Sequence, residues 1–438
     1  MFAVRQYLTR LNLTRLIGLR GLMPTLASLL LSWAADRPGV ASDWPQVLGP
    51  NRDGVAIGET LHPKWGESGP KVIWELPVGN GFAGVAVAGE QAIVFVREGS
   101  EEIVRCCAVE TGKVLWESGS PCTYEGGVSG DKGPRCVPLI SENRVVVFGV
   151  QGVLRCLSLT DGKELWRRDT TADFRPLEGY FGVGSTPAIY KNRLIVNVGG
   201  REQSSIVAFD MADGKTVWNT FTDAASYSSP VIMRVDQADM AIVVTRLHVT
   251  GLNPETGELK FSIPFGARGP TVNGATPVII GKQIFLSASY NIGSLLIGIE
   301  NGAAKEIWRD EELLATQYAT PVSGSTSGIL FAMEGRQDAG RGSASLKCID
   351  VSGKKVLWEE SGLDYGSVIR VNDELLVLTC GGELIRVEAS SEKYRELSRT
   401  RVLKATDSGY RLPALANGRL FIRDEATVRC LEVGPSKR

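Results

Sequence analysis

The hexapeptide DGKTVW at residues 213–218 decides the fold, because closely similar segments return along the whole chain. The clearest copies join a glycine to a tryptophan and end at Trp116, Trp166, Trp218 and Trp358. Weaker copies end at Trp74, Phe261, Trp308 and Leu397. Successive copies therefore lie 39 to 52 residues apart, a period typical of a β-propeller in which each repeat forms one four-stranded blade.

A second pattern has the same period and precedes the first. It consists of small residues around a proline, and its prolines are Pro138, Pro187, Pro230, Pro277, Pro321 and Pro413. Val85 and Val368 stand where two further prolines are expected. The distance from each of these positions to the next aromatic end residue stays between 28 and 37 residues. We therefore expect this proline column to mark the innermost strand of each blade.

The last repeat predicts how the ring closes. After Pro413 the chain has the strand-like segment VRCLEV but no further Trp strand, and only residues 434–438 follow as a tail. The segment KVIW at 71–74 supplies the missing strand at the other end. The sequence thus predicts an all-β, eight-bladed β-propeller over residues 71–433, closed by an N-terminal strand that completes the C-terminal blade. Such closure pairs backbone edges that would otherwise be open to aggregation.

The first 70 residues differ from the repeats. Residues 1–35 carry four arginines, no acidic residue and a short apolar run, which predicts a signal peptide and a periplasmic or secreted protein. An uncleaved membrane anchor and a transit-like segment are the alternatives. Residues 36–70 form an N-terminal extension without the repeat pattern. We expect no transmembrane span in the body that follows.

Charge and motif content exclude several classes of function. Without residues 1–35 the chain has 44 basic and 49 acidic residues, so its formal charge is −5, which does not favour nucleic-acid binding. The chain has only two histidines, His62 and His248, and lacks CxxC, HExxH and GxSxG motifs. The sequence therefore predicts no catalytic residue and no metal ligand, and we expect a monomer.

The eight cysteines are interpreted mainly as packing residues. Cys106, Cys156 and Cys348 each lie ten residues before a repeat tryptophan, and Cys430 occupies the comparable strand of the last unit. One residue type at one strand position is typical of a small apolar side chain between blades. Two disulfides stay open as alternatives: a vicinal bond from Cys106 to Cys107, and a loop-closing bond from Cys122 to Cys136.

The proline column also yields a candidate binding surface. The residues three positions before it are Phe82, Arg135, Gly184, Tyr227, Gly274, Tyr318, Tyr365 and Tyr410, and we expect them to ring one mouth of the central channel. The six with large side chains, Phe82, Arg135, Tyr227, Tyr318, Tyr365 and Tyr410, are the predicted binding residues. They either hold a peptide or small molecule, or pack together and plug the channel.

A structural role is predicted for the repeat tryptophans. Each is expected to pack between adjacent sheets, since a large ring at a fixed position of every blade suits the faces that neighbouring blades bury. The set is Trp74, Trp116, Trp166, Trp218, Trp308 and Trp358.

The repeated ending, in which glycine and lysine are followed a few residues later by tryptophan, resembles the pyrroloquinoline-quinone (PQQ) repeat family, as does the segment WPQVLGPNRDGVA at residues 44–56. The resemblance covers residues 44–433 and implies the propeller fold. The family includes quinoprotein alcohol dehydrogenases and BamB-like proteins of outer-membrane assembly, so the fold alone leaves the activity undecided.

The residues of this chain favour the BamB-like branch of the family over the dehydrogenases. The resemblance implies that a quinoprotein would hold PQQ with a calcium ion, a stacking tryptophan, a catalytic acid and a ring of two adjacent cysteines. Here the adjacent pair, Cys106 and Cys107, lies within a regular strand pattern, and Trp33, Trp44 and Trp65 all precede the first blade. We therefore expect a non-catalytic scaffold without a cofactor, which binds envelope or secreted proteins or peptides. A PQQ- and calcium-dependent dehydrogenase is the alternative.

Overall fold

A computed structural model describes residues 43–66, 68–127, 130, 132–176, 179–269, 273–405 and 411–436. Within this part, the strands form eight four-stranded sheets, and every sheet consists of antiparallel neighbours. Seven sheets use four strands that are consecutive in the chain. The eighth joins β1, Lys71–Pro77, to the last strand of the chain, Thr427–Glu432, with Lys71 opposite Glu432 and Pro77 opposite Thr427. The predicted eight blades and their closure by an N-terminal strand are confirmed.

Each blade runs from an inner strand at the channel to an outer strand at the rim. Blade 1 consists of β2 to β5, at Ala86–Ala88, Gln91–Glu98, Glu101–Ala108 and Val114–Pro121. Blade 2 consists of β6 to β9, at Leu139–Ser141, Arg144–Phe148, Val153–Ser158 and Glu164–Asp169. Blade 3 consists of β10 to β13, at Ala188–Tyr190, Arg193–Gly200, Ser204–Asp210 and Thr216–Thr220. Blade 4 consists of β14 to β17, at Val231–Val235, Ala238–Val244, His248–Leu252 and Leu259–Pro264.

The other half of the ring repeats this plan. Blade 5 consists of β18 to β21, at Val278–Ile280, Gln283–Ala288, Gly293–Glu300 and Ala303–Asp310. Blade 6 consists of β22 to β25, at Val322–Ser323, Ile329–Glu334, Ala344–Asp350 and Lys355–Leu363. Blade 7 consists of β26 to β29, at Gly366–Val371, Glu374–Thr379, Glu383–Glu388 and Glu396–Arg401. Blade 8 consists of β30 to β32, at Ala414–Ala416, Arg419–Arg423 and Thr427–Glu432, and of β1.

Helix is rare in the described chain. One short α-helix, Thr170–Phe174, begins where the Asp169 carboxylate accepts hydrogen bonds from the backbone N–H groups of Thr171 and Ala172, at 3.1 and 3.0 Å. A single 3-10 turn covers Gln337–Ala339. Neither is long and apolar enough to span a membrane, and the described residues contain no other candidate helix.

The proline column lies at the entrance to the inner strands. Pro187, for example, comes directly before β10, and Pro230 directly before β14. Proline has no backbone N–H, so it suits the position just before a ladder begins. In blade 7 the strand β26 starts at Gly366 and includes Val368, because valine can donate to the ladder where proline cannot.

The hydrophobic core is divided into layers between neighbouring blades. One cluster, for instance, joins Ile195 and Ile206 of blade 3 to Ala241 and Val243 of blade 4. Further clusters join each of the other adjacent pairs around the ring. Stability therefore comes from nearest-neighbour contacts between repeats.

The repeat glycine and the repeat tryptophan meet across these interfaces. The turn glycine of blade 3, Gly214, has φ +71°, and a methyl group on it would lie 2.6 Å from the ring of Trp166 in blade 2. The Trp166 indole also donates a hydrogen bond to the carbonyl of Met211, beside the same turn, at 3.0 Å. Glycine is thus required twice, for its backbone conformation and for the close approach of the ring. This contact is called the tryptophan staple below.

The staple recurs at several blade interfaces. The same close ring-to-glycine approach joins Trp74 to Gly112, Trp116 to Gly162 and Trp218 to Gly257. The indole N–H of each ring donates to a carbonyl of the following blade, as do those of Trp166 and Trp358: the acceptors are Val109, Leu159, Met211, Pro254 and Ser390, at 2.7 to 3.3 Å. The repeated sequence motif therefore encodes the contact between blades.

Trp308 in blade 5 departs from this pattern. The next blade has the turn SGKK, in which glycine comes one residue early and Lys354 takes the left-handed conformation with φ +50°. The Lys354 ammonium lies 6.0 Å from the Trp308 ring centroid. Among the described residues, the buried indole nitrogen of Trp308 finds no hydrogen-bond partner. One inserted residue is therefore enough to alter the staple.

Every outer strand of the described ring carries a β-bulge at the residue before the staple position. In blade 1, Trp116 pairs with Cys106 and Val114 with Cys107, so Leu115 is the extra residue. The register shifts at the same place in the other outer strands. In blade 7 the extra residue is Leu397 and Ser398 pairs with Arg386, so Ser398, and not the expected Leu397, stands at the staple position there. A bulge bends the strand and interrupts its free edge, which hinders pairing with another strand.

The cysteines lie in the core as free thiols. Cys106, Cys156, Cys348 and Cys430 are fully buried within interblade clusters, each directly opposite a repeat tryptophan across the ladder. Burial raises the pKa of each of these four thiols to about 12. Cys107, Cys122 and Cys136 are also buried and free, so neither of the two suggested disulfides is present.

Candidate functional site

A cavity opens at one mouth of the central channel and is called the cup below. Its volume is about 130 Å³, which would hold roughly four water molecules. Most of its lining residues lie one or three positions before the proline column, and a few others are added. The lining consists of Val47, Phe82, Arg135, Val137, Phe181, Gly184, Thr186, Tyr227, Ser229, Gly274, Thr276, Tyr290, Gln317, Tyr318, Thr320 and Leu412. Within this set, the inner strands of several blades converge on one space.

The upper tier consists of positions three before the proline column. Six of the eight residues expected at the channel mouth line the cup, namely Phe82, Arg135, Gly184, Tyr227, Gly274 and Tyr318. Four of them are predicted binding residues with large side chains. Tyr410, also a predicted binding residue, lies outside the described residues. The structure therefore brings Phe82, Arg135, Tyr227 and Tyr318 together around one cavity.

Tyr365 is placed differently. Its side chain is fully buried in the core between blades 6 and 7, and it does not line the cup. The hydroxyl accepts hydrogen bonds from the backbone N–H groups of Gln317, Tyr318 and Ala319 at 2.9 to 3.1 Å. Burial raises the pKa of this phenol to about 12. Tyr365 thus holds the chain that carries Tyr318, and a ligand in the cup would not touch it.

The lower tier lies one step deeper, at the residue directly before each proline. It comprises Val137, Thr186, Ser229, Thr276, Thr320 and Leu412. Hydroxyls of neighbouring blades interlock here, since Ser229 accepts from the Thr186 backbone N–H at 3.0 Å and Thr320 from that of Thr276 at 2.9 Å. The sequence analysis missed this tier, although its signal is visible in the segments STP, SSP and ATP.

Residues 44–56 of the N-terminal extension, called the strap below, contribute Val47 to the floor of the cup. Val47 packs with Val137 and Leu412 of the lower tier. At one end Trp44 exchanges backbone hydrogen bonds with Val87 of β2, at 2.9 and 2.8 Å. At the other end Ala56 donates to Arg370 of β26 at 2.8 Å. The strap therefore crosses the channel from blade 1 to blade 7.

A buried arginine holds the middle of the strap. The Arg52 guanidinium donates to the carbonyls of Thr186 and Pro230, at 3.2 and 2.9 Å, and to that of Pro187. Its Nε donates to the Gln46 side chain at 2.9 Å. Burial lowers the pKa of Arg52 from its ordinary value. Because these acceptors belong to the inner-strand entrances of blades 3 and 4, Arg52 locks the strap to the channel wall.

The strap separates two cavities. The second cavity is lined by strap residues such as Asn51 and Arg52 and by inner-strand residues of blades 2 to 4. Val47, by contrast, belongs to the cup. The cup therefore ends at the strap, and a ligand would enter it from the mouth. Sequence reasoning did not foresee this role, because the strap lies outside the repeat pattern.

The lining of the cup combines apolar and polar groups. Rings and aliphatic side chains, among them Phe82, Phe181 and Leu412, line it together with the hydroxyls of the lower tier and the Gln317 amide. Among the described lining residues, Arg135 is the single charged group. The cup is thus an amphipathic site.

Aromatic contacts position the cation. The Arg135 guanidinium lies 5.0 Å from the Phe82 ring centroid and 5.9 Å from that of Phe181. Tyr227 packs edge-on against Phe181, with ring centroids 5.9 Å apart, and its hydroxyl accepts from the Phe181 N–H at 2.9 Å. Burial raises the pKa of Tyr227 to about 12, so this phenol stays neutral at physiological pH. Cation–π contacts of this kind favour a fixed orientation of the guanidinium.

A polar network supports the part of the lining that contains Tyr290, Gln317 and Tyr318. Gln317 donates to the Tyr290 hydroxyl at 2.7 Å, and Tyr318 donates to the Gln337 side chain at 3.0 Å. The Tyr290 ring lies 4.7 Å beneath the Arg336 guanidinium. These contacts leave uncharged amide and phenol groups facing the cup, which suits hydrogen bonding to a ligand.

The donor set of the cup does not fit the PQQ and calcium alternative. Calcium requires several oxygen ligands, usually with carboxylates, yet the described lining contains neither aspartate nor glutamate. It also contains no tryptophan that could stack on a quinone. The described part of the chain holds no cluster of three His, Cys, Asp or Glu residues suited to a metal. Cys106 and Cys107 lie in β4, in the third strand of a blade, and do not line the cup.

Comparison with known proteins points to the same architecture. The chain is 23% identical over 272 residues to the outer membrane protein assembly factor BamB of Moranella endobia, strain PCIT. The match covers 58% of this chain and 64% of that protein. The crystal structure of BamB from Moraxella catarrhalis aligns with a TM-score of 0.58 at 14% identity, over 83% of this chain and 97% of that one.

A dehydrogenase shares the fold as well. The quinohemoprotein alcohol dehydrogenase of Comamonas testosteroni aligns with a TM-score of 0.62 at 13% identity, over 90% of this chain and 81% of that one. At these identities the structural likeness concerns the fold alone. A family model described as outer membrane protein assembly factor BamB matches residues 64–196 and 100–358, which is more than half of the sequence. The chain therefore belongs to this BamB family of PQQ-repeat propellers.

Proposed function

We propose that this protein is a non-catalytic, extracytoplasmic scaffold that binds a protein or peptide partner in the cup, in a BamB-like role in outer-membrane protein assembly. The observation that carries the proposal is the composition of the cup. Aromatic rings, one arginine and neutral hydrogen-bonding groups converge there, and its described lining has no carboxylate or histidine for acid–base chemistry. Such a surface suits recognition.

The cup is a better partner site than the blade edges. Strand addition to an outer edge needs an uninterrupted row of backbone donors and acceptors. The bulge in each described outer strand breaks that row at its middle, for example at Leu165 in blade 2. Leu115 and Leu165 are each 49% exposed but stand singly around the rim, which is ordinary for a soluble surface.

An extracytoplasmic location completes the proposal. The basic and apolar pattern of residues 1–35 supports export, and the family description concerns outer-membrane assembly. The proposed partners are accordingly envelope proteins.

Capture of partners with matched variants tests the proposal. The full chain would be incubated with solubilised envelope extract, alongside Arg135→Glu in the cup and Leu115→Lys on the rim. We expect wild type and Leu115→Lys to recover the same protein, and Arg135→Glu to lose it, because a negative charge replaces the single described cation of the cup. Recovery that depends on Leu115 and not on Arg135 would assign the partner site to the blade edge and refute the cup.

The dehydrogenase alternative has its own test. Purified protein would be incubated with PQQ and Ca²⁺, then with alcohols or sugars and a redox dye. We expect no dye reduction, because the described lining of the cup supplies neither calcium-binding carboxylates nor a stacking indole. Substrate-dependent dye reduction would overturn the scaffold proposal.

A further inference from the structure

The second cavity, which the strap separates from the cup, is called the strap cavity below. Its volume is about 530 Å³, about four times that of the cup. Cavities of about 300–1,000 Å³ are typical of sites for small molecules. The polar side chains of its described lining are Gln46, Asn51, Arg52 and Ser141, and this lining contains no carboxylate. The strap cavity therefore has the size of a ligand site, and the one charged residue of its described lining is a cation.

The Arg52 guanidinium lies in this wall without an opposite charge. Its hydrogen-bond acceptors are the Gln46 side chain and the carbonyls of Thr186, Pro187 and Pro230, all of which are neutral. These four bonds leave one of the five guanidinium N–H groups for a further acceptor. Within the described chain no carboxylate acts on Arg52 electrostatically, and burial lowers the pKa of this guanidinium to about 9. Because a buried cation without a counter-charge is destabilising, an anion in the strap cavity would offset that effect.

The strap itself shows which backbone groups of the inner strands face the channel. Its carbonyls accept hydrogen bonds from the backbone N–H groups of Val87, Ile140 and Arg370, at 2.7 to 2.9 Å. Each of these three residues lies two positions after the proline column. Ile140, for example, is next to Ser141, which pairs with Arg144 across a two-residue turn. Since residues that bond within an antiparallel ladder alternate with residues that face outward, the position two after the column is an outward-facing one.

Blades 3 and 4 have Ile189 and Ile232 at this position, and both residues line the strap cavity. Outside the ladder, no described acceptor faces the N–H group of either residue. Arg52 bonds to the carbonyls of Pro187 and Pro230, which lie two residues before them, so the guanidinium and the two N–H groups lie around one space. Donors of this kind form charge-assisted hydrogen bonds with an oxyanion.

We propose that the strap cavity binds a small organic oxyanion, held by Arg52 and by the backbone N–H groups of Ile189 and Ile232. The chemistry recognised is an anionic oxygen, which a phosphate or a carboxylate can supply. The remaining volume, lined in part by Asn51 and Ser141, holds the polar remainder of the ligand. The strap separates this site from the cup, so the site goes beyond the proposed partner function and does not depend on it.

Calorimetry with three related probes tests the assignment on the purified full chain. Glycerol phosphate and glycerate carry the two anionic groups on the same three-carbon frame, and glycerol is the neutral control. We expect at least one of the two anions to bind about ten- to hundredfold more tightly than glycerol, as for the gain of a charge-assisted hydrogen bond. The anion that binds more tightly identifies the group that the cavity takes. All titrations use one ionic strength, so that general screening does not contribute.

Two matched variants locate the bound anion. Asn51→Asp adds a negative charge at an exposed position of the cavity wall and removes none of the Arg52 hydrogen bonds, and it should weaken anion binding about tenfold or more. Asn301→Asp adds the same charge at an exposed turn of blade 5 and should bind as the wild type does. In addition, Arg52→Gln should bind the anions no better than glycerol. Circular dichroism and thermal melts would show that the variants are folded.

Each outcome decides the proposal. Equal affinity for the anions and glycerol in the wild type, or no binding of any probe, would overturn it. An equal loss of anion binding in Asn301→Asp and Asn51→Asp would assign the effect to the net charge of the protein, and unchanged binding in Arg52→Gln would exclude Arg52 as a donor; either result refutes the site. Partner capture by the Arg135 variant concerns the cup alone, so failure of the scaffold function is recognised separately.

Discussion

The rim of the propeller and the mouth of its channel use the same repeats in opposite ways. At the rim, six of the eight blades place a tryptophan at the same position of the outer strand, where the ring packs on the neighbouring blade. At the mouth, equivalent positions hold Phe82, Arg135, Gly184, Tyr227, Gly274 and Tyr318. The eight repeats of one chain can be compared with one another like aligned sequences. Positions that keep one residue type in most repeats have a structural role, whereas positions that differ between repeats can form a binding site.

The largest expected effect comes from removing a staple. Trp166→Ala leaves a cavity between blades 2 and 3 and deletes the hydrogen bond to Met211. We expect the free energy of unfolding to fall by about 3–5 kcal/mol. Urea denaturation followed by circular dichroism measures it. The cup variant Arg135→Gln serves as the comparison and should lose far less stability; equal losses would erase the distinction between rim and mouth.

A smaller loss is expected when the partner of the ring is changed. Gly214→Ala places a methyl group 2.6 Å from the Trp166 ring at a φ of +71°, and should cost about 2–4 kcal/mol in unfolding free energy. Gly302→Ala is the matched control, since it has φ +77° with nothing within 4 Å. It should cost only about 1–2 kcal/mol. Equal costs in thermal or chemical denaturation would show that the ring contact contributes nothing.

The structure of the rim could be predicted from the sequence for a physical reason. Its residues repeat because each blade meets an equivalent neighbour, so the period, the blade count and the closing strand at 71–77 follow from the sequence alone. The altered Trp308 contact did not follow. It depends on where one inserted residue puts Lys354, and only the coordinates give that.

The mouth was only partly accessible. The proline column placed Phe82, Arg135, Tyr227 and Tyr318, because the spacing fixes the depth of a residue in the channel. Spacing does not fix which way a side chain turns, so the burial of Tyr365 was unforeseen. The strap was missed because its contacts are to carbonyls of distant blades, which have no side-chain signature.

Removing the Arg52 contacts tests whether they hold the strap at the floor of the cup. Arg52→Gln removes bonds to three carbonyls and should lower the unfolding free energy by about 1–3 kcal/mol. It should also make Cys136 reactive. Burial raises the pKa of this thiol to about 12, so it is protonated and inert in the native protein at pH 8.

Thiol labelling at pH 8 measures the effect on Cys136. Arg234→Gln is the control, because this arginine lies on β14 of blade 4 but is exposed and pairs with Asp239. In this control variant Cys136 should stay unlabelled. An inert Cys136 and unchanged stability in Arg52→Gln would mean that Arg52 does not hold the strap.

The smallest effect distinguishes one staple from another. Trp166→Phe loses the indole hydrogen bond to Met211 and should cost about 1–2 kcal/mol more than Trp308→Phe. In Trp308→Phe no hydrogen bond within the described chain is lost, because that indole nitrogen is buried without a partner. Paired denaturation curves measure the difference; a larger loss in Trp308→Phe would contradict the account of the SGKK turn.

Site-specific photocrosslinking tests most directly whether the mouth is where a partner binds. A photoreactive amino acid would be placed at Gln317 in the cup or, in a second protein, at Leu165 on an outer strand. We expect irradiation in envelope extract to join one partner to the Gln317 position and none to Leu165. Crosslinks from Leu165 alone would contradict the claim that the varied mouth, and not the repeated rim, carries the function.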